Sequence, residues 1–293
     1  MSVVSFQEML ADASKRHYAV PMFDVSNGTM MRAAVEVAQE ENSPVILAAI
    51  PKDIEGASLG YWFHSALYAA QQVKVPVCIH LDHAAAPELC KACIDAGFQS
   101  VMIDASAKPF DENAALTRQV VELARARGVG VEAELGHVAS GITGSPDGCA
   151  EDGTSCDTET IFTEPASVER FVALTGVDAL AVSIGTTHGV YISAPELQIG
   201  LLKELRKATD VPLVLHGGSG TPADQLSAAI ENGIAKINIY SELTAAWNTA
   251  MKNFLNSRKE MTCWFALACQ EPERAMREAM REKIRQFRSA GKA

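Results

Sequence analysis

The chain has 293 residues, 48% hydrophobic and 21% charged, proportions that suit a folded protein with a large core. Its formal net charge of -11 argues against holding nucleic acid or an anionic membrane through bulk charge, while a small anion can still be held locally by backbone N–H groups. No apolar stretch reaches the roughly 18 residues of a membrane span, residues 1–10 lack a secretory pattern, and the seven cysteines read as free thiols, so the cytoplasm is the expected compartment.

Short β-like runs alternate with helical segments almost from end to end. The first run, residues 19–23, precedes a predicted helix over 29–41; the second, 44–48, precedes a helix ending near Val73. The third, 76–81, meets the polar pair Asp82-His83, and Pro87 should open the next helix, where its missing N–H is no loss. The fourth, 100–103, ends at Asp104 and is followed by a helix over about 111–127 with Gly128 as its expected C-cap. The fifth, 130–134, carries Glu132 and Glu134, read as a strand approaching a polar rim. A loop rich in Gly, Ser, Thr and Asp covers about 136–160. The sixth, 179–183, enters Gly185-Thr186-Thr187-His188-Gly189, and the seventh, 211–215, leads into His216-Gly217-Gly218-Ser219-Gly220. The eighth, 234–239, has a helix behind it through Ala250, and about 271–287 reads as one or two further amphipathic helices.

Eight strands, each with a following helix, predict an α/β fold: a closed parallel (β/α)8 TIM barrel with additional C-terminal helices, as one domain over residues 1–293. Apolar runs without alternation fit strands buried on both faces. An open doubly wound sheet would need an early Gly-rich nucleotide loop, which the sequence lacks.

The active side of a barrel is built from the C-terminal ends of its strands. His83, His188 and His216 fall just after the third, sixth and seventh runs, and Asp82, Asp104, Glu134 and Asn238 fall at or near the ends of the third, fourth, fifth and eighth. Three imidazoles on one rim can supply the nitrogen side of a tetrahedral metal site with one position open, although each could instead bond a loop carbonyl. His80 and His64 read as structural and His137 as a loop or supporting group. Cys90 and Cys93, inside a predicted helix, read as packing, and Cys149 and Cys156 as unpaired thiols of the long loop. The loops after the seventh and eighth runs, containing Gly217, Gly218, Ser219 and Ser241, together suggest a phosphate site of backbone donors and a helix N-terminus.

Across essentially its whole length the chain resembles the class II, metal-dependent ketose-bisphosphate aldolases. The motifs that carry the likeness are His80-Leu81-Asp82-His83, Ser100-Val101-Met102-Ile103-Asp104, Val131-Glu132-Ala133-Glu134-Leu135-Gly136, Ile184-Gly185-Thr186-Thr187-His188-Gly189, Leu215-His216-Gly217-Gly218-Ser219-Gly220 and Lys236-Ile237-Asn238-Ile239. Residues 189–195 are similar to the tagatose-bisphosphate branch. The resemblance implies Zn2+ on His83, His188 and His216, with Asp104 and Glu134 as supporting or alternative metal contacts. It implies that Asp82 takes the proton of the C4 hydroxyl and that Asn238 donates to the enediolate. It also places Gly189, Gly217, Gly218, Ser219, Asn238 and Ser241 around substrate and its phosphate, with a monovalent cation (Na+ or K+) beside it. The products would be dihydroxyacetone phosphate and an aldehyde, and the assembly a homodimer or homotetramer. Lys236 has no catalytic role in this scheme and reads as a charge at a strand end.

Departures from the family pattern gather around substrate. Asp24 stands where asparagine is usual and Ile50 where serine or threonine is usual, which marks both as selectivity positions. The mobile-loop carboxylate is absent from its aligned place at residues 139–142, with Asp147, Glu151 or Asp152 as replacements after a loop shift. Arg288 is read either as a distal-anion contact or as solvation of the last helix. These changes keep open a variant ketose 1-phosphate or sugar-acid phosphate, a sugar-phosphate isomerase or epimerase, and a non-catalytic sugar-phosphate-binding protein.

Overall fold

The computed structural model describes residues 2–56, 58–139, 160–189, 194–260 and 262–293. Its strands are β1 (Val20–Asp24), β2 (Val45–Ala49), β3 (Val77–Ala84), β4 (Ser100–Ile103), β5 (Gly130–Leu135), β6 (Ala179–Val182), β7 (Leu213–Leu215) and β8 (Ile234–Ile239). They pair in parallel in chain order, and β8 returns to β1 with Met22 opposite Asn238, closing the barrel. The expected (β/α)8 architecture is present. The helices that follow the strands are α2 (Gly28–Glu40), α3 (Ser58–Gln71), α4 (Pro87–Ala96), α5 (Phe110–Arg125), α6 (Pro165–Thr175), α7 (Ile199–Ala208), α8 (Ala223–Glu231) and α9 (Ser241–Asn256), and α10 (Phe265–Gln286) adds to this set.

Alternation along each strand separates two apolar layers even though both faces are buried. Phe23, Leu47 and Ile79 point outward beneath the helices, whereas Met22, Ile46 and Cys78 point into the barrel. The interior turns polar toward the C-terminal ends, where Asp82, Glu132, Glu134, His216, Lys236 and Asn238 are all buried. Glu132 and Lys236 therefore do not mark a rim, as the sequence suggested; each is fully enclosed inside the barrel.

The opposite end is plugged by a helix that the strand pattern did not reveal, α1 (Phe6–Arg16). Ser5 caps it by accepting the Glu8 N–H, and Phe6, Met9, Leu10 and Ala13 form its buried stripe at helical spacing. Phe6 stacks on the His80 ring at 5.5 Å, and a Cβ on Gly130 would come within 2.7 Å of the same phenylalanine. The side chain inserted from α1 thus supports the floor on which the polar layer stands.

Other boundaries move by small, explicable amounts. β3 runs on through Asp82 and His83 to Ala84, with an irregularity in its pairing to β4 and His83 at φ 48°. α5 stops at Arg125, two residues ahead of its expected end, and Gly128 lies in the turn that follows with φ 68°. α10 begins at Phe265 and binds α2 through ion pairs of Arg32 with Glu273, Arg281 with Glu40 and Arg285 with Glu41. Arg288 pairs with Glu231 at 2.5 Å, at the end of α8 that feeds the start of β8. It therefore lies at the barrel end opposite the polar layer, and a distal-anion contact over this chain's own site is ruled out. No helix among the described residues is long and apolar enough to cross a membrane.

Candidate metal centre

Three strand ends carry the histidines inward. His83 closes β3, His188 follows β6 and His216 follows β7. Their ring centroids lie 4.9 Å (His83–His188), 4.7 Å (His83–His216) and 5.8 Å (His188–His216) apart. One nitrogen of each converges with the others within 4.8 Å. His83 Nδ1 is bonded to Asp104 at 2.8 Å, and its Nε2 stands on the side of Asp82 at 3.7 Å. His188 Nε2 and His216 Nδ1 are buried without hydrogen-bond partners. Buried polar atoms normally find partners, so orphaned imidazole nitrogens aimed at one point are the mark of a metal site. The group of residues fits a metal ion.

The carboxylates arrange themselves around these rings. Glu134 accepts the Val138 N–H at 3.0 Å and sends its second oxygen to within 3.3 Å of His216 Nδ1. His83, Asp104 and Glu134 form an overlapping group that could also hold a cation. Asp104 is further held by the N–H and hydroxyl of Ser106, and that hydroxyl reaches His137 Nδ1 at 2.9 Å. His137 thus takes the supporting place expected of it. Asp82 receives Asn238 Nδ2 at 3.2 and 3.3 Å and stands 3.7 Å from His83 Nε2.

Ionisation follows these contacts. Burial raises the Asp82 carboxyl, but the charges and hydrogen bonds of His83, His80, His216 and Lys236 outweigh it and hold the group well below the usual carboxylate range. Burial likewise opposes ionisation of Asp104 and Glu132. His83 and Ser106 overcome it at Asp104, and Lys236 with His216 overcomes it at Glu132, whose pKa falls to about 2. His188 is pushed well below its ordinary value, first by burial and then by His83 and His216, so its imidazole stays neutral. For His216, burial acts downward, but the Glu132 carboxylate bonded at Nε2 and the Glu134 carboxylate 3.3 Å from Nδ1 prevail and raise it.

The expected substrate residues gather in one cleft. Asp24, Gly189, Gly217, Ser219 and Ser241 line it together with Asp82, His83, His188 and Asn238. Gly217 lies at φ 65° with Thr187 O directly behind it. Ser219 accepts the Glu242 N–H at 3.3 Å in the first turn of α9, which joins the β7 loop to that helix. Two expected residues are placed differently. Gly218 is absent from the lining and donates its N–H to Asn238 O at 3.2 Å, a close approach of two loops. Ile50 is buried at the end of β2 and is also absent from the lining.

Tyr240, which sequence reading passed over, lines the cleft at the entrance to α9. His80 is structural, bonded to Ser100 at 2.8 Å, whereas His64 is an exposed side chain of α3. Cys90 and Cys93 are buried, and burial pushes both thiols up, Cys93 to about 12, as inert packing groups. Cys149, Cys156, Asp147, Glu151, Asp152 and residues 190–193 lie outside the described residues.

Comparison with known proteins agrees with this geometry. Residues 4–292 match the family model described as fructose-bisphosphate aldolase class-II. The chain is 41% identical to the 6-phospho-5-dehydro-2-deoxy-D-gluconate aldolase of Bacillus licheniformis over 298 residues, covering 100% of this chain and 97% of that protein. It is 40% identical to the fructose-bisphosphate aldolase of Geobacillus stearothermophilus over 297 residues, covering 100% and 99%. Among solved structures, the YdjI aldolase of Escherichia coli K12 superimposes with a TM-score of 0.85 at 36% identity, over 99% of each chain.

Proposed function

Because this chain belongs to the class II fructose-bisphosphate aldolase family and is a metal-dependent lyase, we propose that it reversibly cleaves a phosphorylated ketose, of the tagatose or fructose 1,6-bisphosphate type, to dihydroxyacetone phosphate and an aldehyde. The observation that carries the proposal is the convergence of His83, His188 and His216, with two orphaned imidazole nitrogens, beside the buried Asp82–Asn238 pair. Zn2+ is the ion that this three-nitrogen set favours, and when bound it supplies Lewis-acid polarisation of the substrate's carbonyl oxygen.

This chain's own groups would do the rest. Asp82, ionised and buried, takes the C4 hydroxyl proton; the C3–C4 bond then breaks, the aldehyde leaves, and the electron pair passes into an enediolate. Asn238 Nδ2 is placed to donate where negative charge develops. Protonation at C3 completes dihydroxyacetone phosphate. Gly189, Gly217, Ser219 and Ser241 would surround the phosphate, with Gly218 holding the β7 loop against β8, and a Na+ or K+ ion beside the phosphate would offset its charge. The protein would act as a homodimer or homotetramer in the cytoplasm, with no nucleic-acid or membrane partner.

The tagatose reading rests on residues 189–195, most of which lie outside the described set. A sugar-acid phosphate is favoured by a different observation: the relative that acts on 6-phospho-5-dehydro-2-deoxy-D-gluconate is as similar as the fructose-bisphosphate enzyme, 41% against 40%. Asp24 in the cleft offers acceptor oxygens suited to hydroxyls, so a substrate carboxylate would have to sit away from it.

The test is release of dihydroxyacetone phosphate by zinc-loaded protein from tagatose, fructose and sugar-acid phosphates. Release that chelation abolishes and zinc restores supports the proposal and ranks the sugars. Absence of release from the whole panel, at one zinc per chain, refutes it.

A further inference from the structure

A buried ion pair beneath the metal centre is unused by this chemistry. Lys236 and Glu132 are both fully enclosed in the barrel, and Lys236 Nζ lies 3.1 and 2.9 Å from the two carboxylate oxygens. Each partner makes one more bond, and the two bonds lead to opposite sides of the site. Glu132 Oε1 meets His216 Nε2 at 2.9 Å, and Lys236 Nζ meets Asn238 Oδ1 at 2.8 Å.

Both of those outer groups have two orientations of nearly equal shape. An imidazole can carry its proton on either nitrogen, and a carboxamide can exchange its oxygen and nitrogen by a half-turn. An ionised carboxylate only accepts, so Glu132 requires a proton on His216 Nε2 and leaves Nδ1, which faces the centre 3.3 Å from Glu134, as the nitrogen whose lone pair a bound metal would take. An ammonium only donates, so Lys236 requires the oxygen of Asn238 and turns Nδ2 toward Asp82.

We infer that the Lys236–Glu132 pair is a positioning device that fixes the ligand tautomer of His216 and the amide orientation of Asn238 together, so that the metal side and the proton-transfer side of the site are set by one ion pair. The inference rests on the metal-centre reading above. Isolated burial of either charge is unfavourable, and neither residue reaches the cleft, so the pair's place in the fold is accounted for by the two groups that it orients.

The alternation of β5 and β8 makes the device available. Glu132 and Glu134 share one face of their strand, and Lys236 and Asn238 share one face of theirs, so each site residue has its supporting charge one layer below. Lys236 is a positioning residue: it acts on substrate only through Asn238.

Native protein labelled with 15N-histidine and loaded with zinc tests the tautomer directly by NMR. The expected result is a proton on His216 Nε2 and metal on Nδ1; metal on Nε2, or a proton on Nδ1, overturns the inference. Lys236→Met, Glu132→Gln and the double variant, in which neither charge is left unpaired, are then compared with native protein after circular dichroism confirms folding. Glu132→Gln should weaken zinc binding by about 10–100-fold, as loss of an imidazole's outer partner does. Lys236→Met should lower kcat by about 10–100-fold with KM changed by less than about threefold, because Asn238 is free to flip but the substrate contacts remain.

Folded variants with zinc affinity and kcat within about threefold of native would overturn the inference. If neither single variant folds, the double variant and the native tautomer give the decision. Tautomer and zinc affinity are read without substrate, so a native protein that cleaves no sugar counts against the aldolase reading and not against this one.

Discussion

Replacing Gly217 with alanine tests how tightly the loops after β6 and β7 are fitted around the site. Gly217 lies at φ 65°, and a Cβ there would sit 2.4 Å from Thr187 O and 2.9 Å from the carbonyl carbon. The left-handed conformation alone costs a non-glycine residue about 1–2 kcal/mol. The atom in the way is main chain, next to His188, so it cannot swing aside as a side-chain end would. Overpacking of this kind adds about 1–3 kcal/mol, for a total of about 2–5 kcal/mol. At roughly 2–4 °C per kcal/mol, Gly217→Ala should lower the unfolding midpoint by about 4–20 °C. Relief of the clash moves His188 away from His216, so zinc affinity should fall as well. Calorimetry of the metal-free protein and a chelator competition would measure the two effects separately. Gly218→Ala is the internal comparison: the first atom that it meets is a methyl group, Ile237 Cγ2 at 2.4 Å, and φ is not positive, so its stability loss should be smaller. A Gly217→Ala midpoint within about 2 °C of the parent with zinc affinity unchanged would refute the reasoning.

Acid should unfold the metal-free protein through the buried carboxyls. Asp82, Asp104 and Glu132 sit below their ordinary values in the folded state, so their stabilisation is complete above the unfolded carboxylate range. It is lost as pH falls through the folded values, and the melting midpoint should drop steeply below about pH 4.5; a flat profile down to about pH 3 would contradict this. Phe6→Ala removes the ring that α1 inserts against His80 and should cost about 3–5 kcal/mol, read from denaturant titration, with zinc stoichiometry retained. Asp24→Asn places an amide in the cleft, and the ranking of sugars in the release assay should change while zinc affinity stays within about twofold; identical ranking would remove Asp24 from the selectivity residues.

Much of the frame was legible because closed parallel barrels leave an unmixed signal. Strands buried on both faces read as apolar runs, and β4 and β8 fall at their expected residues. The site was legible for the same reason: a polar residue at the end of an apolar run has little reason to be there other than the rim, which is how His83, His188, His216 and Asn238 were found. Two kinds of feature were hidden. α1 precedes the first strand, and its four buried residues at helical spacing carry no sign of what they would pack against. Glu132 and Lys236 sit inside apolar runs, where a charge looks like an approach to solvent. The two-residue spacing to Glu134 and Asn238 was the available clue, since it puts each pair on one strand face. Tyr240 had no such clue, because its place in the cleft depends on how β8 turns into α9.

The charges inside the barrel also suit a metal ion among them. Asp82, Asp104 and Glu132 are held in their ionised forms, and Lys236 is paired with one of them, Glu132, at 2.9 Å. Without metal, the remaining compensation must come from the imidazoles, and His216 is accordingly raised by Glu132 and Glu134 against the effect of burial. His188 cannot share that task, because burial and the other two rings hold it neutral. A divalent cation held by the three rings would replace this protonic compensation with a fixed charge, and its entry would displace a proton. Zinc uptake near neutral pH should therefore release protons, visible in titration calorimetry as a heat that depends on the ionisation enthalpy of the buffer. The same heat in buffers of different ionisation enthalpy would mean that His216 is already neutral before the metal arrives, and that the carboxylates are balanced in some other way.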